Sequence, residues 1–598
     1  MVTPTTLTQL FFGAAERSAG RPAVMRHKRD GAWHDITFDT LFTRVHHLYA
    51  GLTELQLQPG DRLAILSENR PEWAIVDYAC LAARLADVPI YPTLTPAQTA
   101  YILRDSGAKG IFVSSDDHLQ KILGIRHELP DLQHIVLFDG ESDRAGVITL
   151  QDLESRGHTA LARHADWRAA ALSVAPDDLA TLIYTSGTTG DPKGVMLSHG
   201  NITSNVVAAL QVILVNDRDE CLSFLPLCHI FERMVGHYLM LQAGAVINYA
   251  TNFGTVPVEM VERSPTVVAS VPRLYEKIYG RITESAIKSG GLKRAIFEWA
   301  RATGEKRLDY TLSGRPVPPG LRLAYRLADT LVFAKIRNRM GGRLRFFVSG
   351  GAPLSADICR FFLAAGLVII EGYGLTETSP VITANRLTML KPGTVGQPIP
   401  GVEVKIADDG EILTRGPHVM KGYFHNPTAT AEAIDRDGWF RTGDIGEMDN
   451  DNCLRITDRK KDLIKTSGGK FVAPQPIEGM LKTNTFFANA VMLGDRRQFP
   501  IMLLVPNFAA VDAWAAGEGL AKRSPAQLVA APDVREKLER EARTSLRDLA
   551  QFETPKKFLL LERDFTIESG ELTPTMKVKR KVVEKNYAEA IDRLYADM

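Results

Sequence analysis

Short apolar runs alternate with longer helix-like segments along the chain. The turn Gly60-Asp61-Arg62 feeds the apolar run Leu63 to Leu66, a helical pattern follows from Pro71 to Leu85, and Val88 to Tyr91 is apolar again. Gly110 to Ser114 and His134 to Phe138 continue the rhythm. Strand-sized runs separated by helix-sized ones predict parallel sheets with crossover helices. Further on, Leu344 to Val348 predicts a strand that empties into Ser349-Gly350-Gly351-Ala352-Pro353, followed by a helix from Ser355 to Ala365. The next strand, Leu367 to Ile370, empties into Glu371-Gly372-Tyr373-Gly374-Leu375-Thr376-Glu377-Thr378. Two glycine-rich turns thus leave the carboxyl ends of strands that can be neighbours, where open α/β folds hold ligands. Ala490 to Leu493 and Met502 to Pro506 predict strands of a further unit. No repeat of solenoid period interrupts the pattern, and 598 residues is too long for one core. The expected fold is α/β: a large N-terminal domain of layered sheets and a small, mobile α+β C-terminal domain.

The apolar run Leu179 to Tyr184 opens directly into Thr185-Ser186-Gly187-Thr188-Thr189-Gly190-Asp191-Pro192-Lys193-Gly194. A strand followed by glycines, hydroxyls and one lysine suits a phosphate cradle, because glycine lets successive N–H groups aim inward and Lys193 can neutralise phosphate charge. A solvated linker has the same composition. The loop is not a Walker P-loop, since Gly194 follows Lys193 where Ser or Thr would stand.

Charge and cysteine content narrow the class. Seventy-one Lys and Arg against seventy Asp and Glu leave a net charge of +1, which argues against a nucleic-acid binder that relies on bulk electrostatics. The five cysteines, Cys80, Cys221, Cys228, Cys359 and Cys453, have no paired metal-ligand spacing. They read as reduced thiols of a cytoplasmic protein. The first twenty residues lack the basic and long apolar regions of a signal peptide, and no apolar run is long enough to span a bilayer.

The two later turns suit a nucleotide. Gly350, Gly351 and Gly372 would let a flat base approach the backbone, Tyr373 offers a ring face, and Thr376 and Glu377 would face phosphates. Glu377 is the natural Mg²⁺ ligand, because Mg²⁺ takes one or two carboxylates plus phosphate oxygens. Two structural turns with a core tyrosine are the competing reading. In Gly438-Trp439-Phe440-Arg441-Thr442-Gly443-Asp444, the carboxylate after a glycine turn can accept both ribose hydroxyls. The charge-dense Asp458-Arg459-Lys460-Lys461-Asp462 ordinarily means a solvated turn.

The string Tyr184 to Gly194 closely resembles the signature of the AMP-forming, adenylate-forming enzymes, the acyl-CoA synthetase and luciferase superfamily. The Ser-Gly-Gly-Ala-Pro and Tyr-Gly-x-Thr-Glu strings stand in that family's order, and the resemblance runs from about Leu7 to about Tyr587. It implies ATP, Mg²⁺ and coenzyme A as ligands. It assigns Thr185, Ser186, Gly187, Thr188, Thr189, Gly190 and Lys193 to the phosphates, and Gly350, Gly351, Ala352, Glu371, Gly372, Tyr373, Gly374 and Thr376 to the adenine and acyl site. Glu377 and Thr188 are the implied metal ligands, and Asp444 and Arg459 hold ribose and phosphate. The implied domains are 1–457 and 463–598, with a hinge at 458–462. After the first half-reaction the C-terminal domain would rotate and bring the Gly468-Gly469 loop to the site.

Near the C-terminus, Thr573-Pro574-Thr575-Met576-Lys577 resembles the long-chain acyl-CoA synthetase form of the catalytic-lysine motif and assigns that role to Lys577. Met576 stands where many members have Gly. Leu225 to Arg233 resembles the long-chain form of a motif whose histidine, His229 here, lines the acyl site. The expected activity is fatty acid plus ATP to acyl-AMP and pyrophosphate, then acyl-AMP plus CoA to acyl-CoA and AMP. A fatty acyl-AMP ligase serving a carrier protein, and a catalytically silent nucleotide- and lipid-binding regulator, are the alternatives. Between 320 and 345, Leu323, Leu327 and Leu331 recur at helical spacing beside Arg322, Arg326, Lys335, Arg337 and Arg339. This basic amphipathic segment either lies on an anionic membrane, giving peripheral contact at the inner membrane surface, or docks on the protein with a solvated basic face.

Overall fold

The computed structural model describes residues 3–141, 144–185, 191–466, 471–520, 523–566, 569–573 and 578–596. Among them, two large sheets dominate. The first has eight strands in the order Gly422–Tyr423, Lys193–Ser198, Leu179–Thr185, Ala86–Ile90, Arg62–Leu66, Gly110–Val113, His134–Leu137 and Val147–Thr149. The second has nine, in the order Gln397–Pro398, Val381–Ala384, Val368–Gly374, Phe346–Ser349, Val267–Ser270, Glu220–Ser223, Val246–Tyr249, Met25–Arg29 and Ala32–Ile36. The central strands of both are parallel and joined by helices, as the alternating pattern predicts.

Strand alternation sends neighbouring residues into different cores. Leu63 and Ile65 join a core shared with Ile247, Val267 and Phe347 of the other sheet and with the helices Pro71–Ala82 and His199–Leu210. Ala64 and Leu66 face a second core against Ile102, Leu119 and Ile122. Period-two burial on both faces is what a sheet covered on both sides requires.

A four-stranded antiparallel sheet, Glu403–Ile406, Glu411–Arg415, Phe440–Met448 and Leu454–Arg459, carries Asp444 and Arg459 as direct cross-strand neighbours. Beyond it, Phe487–Leu493, Ile501–Pro506 and Lys557–Leu560 form a three-stranded sheet with its own cores, one holding Met492, Met502 and Leu504 and the other Val491, Leu503 and Val505. No helix among the described residues is long and apolar enough to cross a membrane. All five cysteines are buried and free.

Two expectations need correction. The strand predicted to end at Ile370 runs on to Gly374, so Glu371, Gly372, Tyr373 and Gly374 lie in a strand. The antiparallel strand Val381–Ala384 holds them there, pairing Gly372 with Ala384 and Tyr373 with Thr383. A Cβ on Gly374 would sit 1.7 Å from the Pro380 carbonyl oxygen, so glycine serves a close backbone approach rather than a turn. Asp458 and Arg459 likewise belong to a strand, and Asp458 is buried, because cross-strand pairing overrides what a charge-rich run ordinarily signals.

The most buried charges lie elsewhere. Arg233 is fully enclosed, where it donates to Asp87 and Asp77, to Thr181 Oγ1 at 2.9 Å and to the Tyr238 hydroxyl at 2.9 Å, with its guanidinium against Trp73. It sits in a π-helix, Glu232–Tyr238. An added Cβ at Gly236 would stand 2.5 Å from Glu232 Oε1, so the missing side chain lets the Glu232 carboxyl fold back over the helix.

Candidate active site

The site forms where the ends of three sheets converge. Leu179–Thr185 leads into a loop whose residues Ser186, Gly187, Thr188, Thr189 and Gly190 lie outside the described residues. The chain returns antiparallel as Lys193–Ser198, so Thr185 and Lys193 are paired at the base of that loop. The two-residue edge strand Gly422–Tyr423 pairs alongside, with Tyr423 opposite Val195. This brings the Tyr423 ring beneath the Lys193 ammonium, 4.9 Å from it, a favourable cation–π distance.

The Tyr423 hydroxyl donates to Glu377 Oε1 at 2.9 Å, and the Met420 amide donates to the Glu377 carbonyl at 2.9 Å. Glu377 stands on a 3-10 turn, Thr376–Thr378, directly after the strand Val368–Gly374. Burial and the neighbouring carboxylate hold the Tyr423 phenol well above its ordinary range, so it stays a donor. Lys193 and Glu377, 184 positions apart, are thus linked through one ring.

Tyr373 reaches the other way. Its ring packs with Ile382, Ile412 and Leu454, and its hydroxyl donates to Asp444 Oδ2 at 2.6 Å. Arg459 Nε lies 3.1 Å from Asp444 Oδ1. Burial disfavours the Arg459 charge, but Asp444, Asp462, Tyr373 and Glu377 together raise its pKa above the ordinary value. Both Asp444 oxygens are engaged by protein, which fixes the carboxylate.

On the acyl side, Phe346–Ser349 is parallel to Val368–Gly374 and ends at Gly350, whose amide donates to the Ser270 carbonyl at 3.1 Å. A Cβ on Gly350 would stand 3.0 Å from the Phe231 ring, so that glycine makes room for Phe231. Gly351 follows with φ +81°, a conformation that favours glycine, and Ala352 is exposed beyond it. His229 is half-buried, and its Nδ1 accepts the Phe231 amide at 3.2 Å. The His229 motif and the Ser349 to Pro353 turn therefore meet. Glu371 points inward beside Cys359 and the Gly393 backbone, and burial pushes its carboxyl up to about 8. Thr376 is buried at the turn.

Gly468, Gly469 and Lys577 lie outside the described residues. Among the described residues, no cluster of three or more His, Cys, Asp or Glu could hold a metal alone. The donor set at Glu377 is a single carboxylate, the chemistry of a Mg²⁺ site completed by phosphate oxygens.

Sequence reasoning passes over Tyr423, Arg273 and Asp564. The Arg273 guanidinium donates to Asp564 Oδ2 at 2.7 Å, joining the start of the helix Pro272–Lys288 to the C-terminal part of the chain. Asp564 also accepts from Asn489 Nδ2 at 3.0 Å. No local signal marks these residues: Gly422–Tyr423 is two residues long, and a lone Arg and a lone Asp 291 positions apart carry no motif.

A strand-borne hydroxyl loop, a carboxylate and lysine held through one tyrosine, and an Asp–Arg pair beside them define a nucleotide-handling α/β enzyme. The chain belongs to the AMP-binding enzyme family, whose profile matches residues 11–424, and the AMP-binding enzyme C-terminal domain profile matches residues 461–598. It is 38% identical over 571 residues to a long-chain-fatty-acid–CoA ligase of Mycobacterium bovis, covering 95% of this chain and 93% of that one. It is 33% identical over 596 residues to the peroxisomal long chain acyl-CoA synthetase 7 of Arabidopsis thaliana, covering 95% and 82%. Its fold is similar to that of an anthranilate CoA ligase solved with anthranoyl-AMP, with a TM-score of 0.74 and 19% identity over 99% of both chains.

Proposed function

We propose that this chain is a long-chain fatty acid–CoA ligase that works through an acyl-adenylate. The observation that carries the reading is the linkage of Lys193, Tyr423 and Glu377 beside the Asp444–Arg459 pair, at the mouth of the Thr185 to Lys193 loop. A carboxylate is a poor electrophile, so its oxygen must first become part of a better leaving group. Attack of the fatty carboxylate on the α-phosphate of ATP does this, and pyrophosphate leaves.

The chain's own groups divide that work. Asp444 and Arg459 orient ribose and phosphate, while the Thr185 to Lys193 loop and the Lys193 ammonium receive the departing pyrophosphate. Lys577 neutralises charge at the reacting phosphate, a contribution of roughly 2–4 kcal/mol by comparison with one oxyanion donor. Glu377 and Thr188 would hold Mg²⁺, which would supply charge neutralisation to the phosphates. His229 and Phe231 border the acyl entrance, next to Gly350.

Residues 1–457 form the adenylating body, 458–462 the hinge and 463–598 the mobile domain. Rotation then withdraws Lys577, brings Gly468 and Gly469 forward and admits the CoA thiol, which attacks the acyl carbonyl and releases AMP. The protein acts in the cytoplasm, with peripheral contact at the inner membrane surface through 320–345.

The test is a coupled assay of AMP and acyl-CoA across saturated acids from short to very long chains, with and without CoA. CoA-dependent AMP release peaking at long chains is expected. Adenylate accumulating without thioester would replace this reading with an acyl-AMP ligase, and silence would replace it with a regulator. In a Lys577→Ala variant, adenylation should be lost while CoA attack on supplied acyl-AMP survives.

A further inference from the structure

Beyond Ser223 the chain leaves the second sheet, and Phe224 to His229 belong to no strand or helix before the turn into the π-helix. Backbone groups there have no ladder and must be satisfied in another way, and Pro226 has no N–H to give. The side chain of Asn69 meets the need. Its Nδ2 donates to the Leu225 carbonyl at 2.6 Å and its Oδ1 accepts the Leu227 amide at 2.9 Å. One amide thus takes the acceptor and the donor that flank Pro226, as a neighbouring strand would.

Asn69 is itself held from both sides. It stands on the turn between the strand Arg62–Leu66 of the first sheet and the helix Pro71–Ala82. Before it, Glu68 accepts from Ser114 Oγ at 2.6 Å and bonds His118 Nε2 at 2.8 Å. After it, Arg70 donates to Glu72 at 2.7 Å and to the two oxygens of Asp139 at 2.6 and 3.0 Å. An amide presented from a turn pinned at both neighbours is preorganised for its grip.

The far end of the segment is tied to the same place. Asn69 Nδ2 also donates to Ser223 Oγ at 3.3 Å, and the Ser223 hydroxyl in turn faces the Glu232 carboxyl. Leu225 and Leu227 at one end and Glu232 at the other are therefore linked through Asn69 and Ser223, with His229 and Phe231 on the arc between them. Within the arc, His229 Nδ1 accepts the Phe231 amide and the Phe231 ring packs on Gly350. None of these bonds reaches Lys193, Tyr423, Glu377, Asp444 or Arg459.

We propose that Asn69 is a positioning residue for the acyl entrance: it fixes the arc that carries His229 and Phe231, and so sets how well a fatty acid is received without acting on the nucleotide. This role rests on the ligase reading, which makes the arc the acyl entrance. A purely structural bridge between the two sheets is the competing role. Asn205 supplies the control, because its Nδ2 donates to the Val381 carbonyl at 2.7 Å and its Oδ1 accepts the Val381 amide at 3.0 Å. It makes the same grip on backbone, away from the arc.

The test is steady-state kinetics of the full-length chain with palmitate, ATP and CoA, beside direct titration of palmitate and of MgATP into the resting protein. In Asn69→Ala the KM and the dissociation constant for palmitate should rise about tenfold, as two lost hydrogen bonds allow, with kcat and the constants for ATP within about twofold of wild type. Asn69→Asp keeps the acceptor but sets an oxygen against the Leu225 carbonyl. It should show the same split, and it decides the matter if the alanine variant does not fold. Asn205→Ala should leave the palmitate constants unchanged. Palmitate constants unmoved in the Asn69 variants would overturn the proposal, as would palmitate and ATP constants rising together. An equal rise in the palmitate KM of Asn205→Ala would also overturn it, by reducing Asn69 to a structural bridge. A wild type that makes no acyl-CoA would remove the ligase reading; palmitate titration weakened by Asn69→Ala and not by Asn205→Ala would then still uphold the acyl entrance. A wild type that binds no palmitate would overturn both.

Discussion

The hydroxyl of Tyr423 donates to Oε1 of Glu377 across 2.9 Å, while the same tyrosine's ring lies under the Lys193 ammonium. One side chain thus sets both a carboxylate and a cation that the proposed reaction needs. Tyr423→Phe keeps the ring and removes the donor. A hydrogen bond to a charged group contributes about 1.5–3 kcal/mol, so the Mg²⁺ concentration for half-maximal activity and the KM for ATP should rise roughly tenfold, with a smaller change in kcat. Tyr423→Leu removes the ring as well and should lower kcat further. Direct titration of ATP in the presence of Mg²⁺ checks the same loss without turnover. A Phe variant with wild-type Mg²⁺ dependence would end the positioning role.

The Arg273–Asp564 ion pair ties the body of the protein to its C-terminal part in the present arrangement. It is partly exposed, which limits its worth to about 1 kcal/mol. Asp564→Asn should therefore shift the ratio of adenylation to thioester formation by up to about fivefold, measured as separate half-reactions. The exchange Arg273→Asp with Asp564→Arg should restore the ratio. Two half-reaction rates unmoved by Asp564→Asn would mean the pair holds no state in preference to another.

Arg233 pairs with Asp77 and Asp87 where no water reaches, and burial together with the Asp87 carboxylate raises the Asp77 pKa to about 8, so one proton and one guanidinium balance the two carboxyls. Arg233→Met should cost roughly 3–5 kcal/mol, because it strands the buried carboxyl pair without its cation. Adding Asp77→Asn and Asp87→Asn should recover much of the loss. Thermal unfolding of the wild type, the single variant and the triple variant separates a stranded charge from a simple packing defect: no recovery in the triple variant would favour packing.

Glu232 has both carboxyl oxygens buried, and burial raises its pKa to about 8 against the opposing effect of the Ser223 hydroxyl. The unfolded chain releases this proton near the ordinary value of 4.5 and the folded chain near 8. Its contribution to stability is therefore complete below 4.5 and is lost progressively as pH rises to 8. Glu232→Gln, which cannot ionise, should gain stability over wild type as pH rises through that window, and the gain should level off above it. Melting temperatures of both proteins between about pH 5 and pH 8.5 test this; a constant difference would show that Glu232 does not titrate in the fold.

Much of the body was legible because its central strands are apolar on both faces and its glycine-rich loops leave strand ends. The runs Leu63 to Leu66, Val88 to Tyr91 and Gly110 to Ser114 lie within two residues of observed strand ends. What escaped was set by partners far away in sequence. Gly372 and Tyr373 looked like turn residues until the strand from Val381 paired with them. Asp458 and Arg459 have no apolar period, yet the strand carrying Asp444 orders both. Leu323, Leu327 and Leu331 gave a clear helical period without revealing which way the stripe points. Periodicity reports an amphipathic face; only the docked residues Tyr325, Phe333 and Ile336 show that the face looks outward.

Lys460 follows Arg459 directly, and its amide still bonds the Gly443 carbonyl at 2.9 Å while its ammonium bridges Asp409 and Glu411 at 2.7 and 2.9 Å. In the proposed reading, the strand that would hold Arg459 against the nucleotide is also the root on which the mobile part hangs, and the two roles are one residue apart. Torque on the chain beyond Lys460 would then be felt at Arg459, and a ligand gripping Arg459 would stiffen the fulcrum. By reciprocity, nucleotide occupancy and domain orientation then bias each other by equal free energies. The molecule would keep time between its two half-reactions through this strand, with no separate relay required.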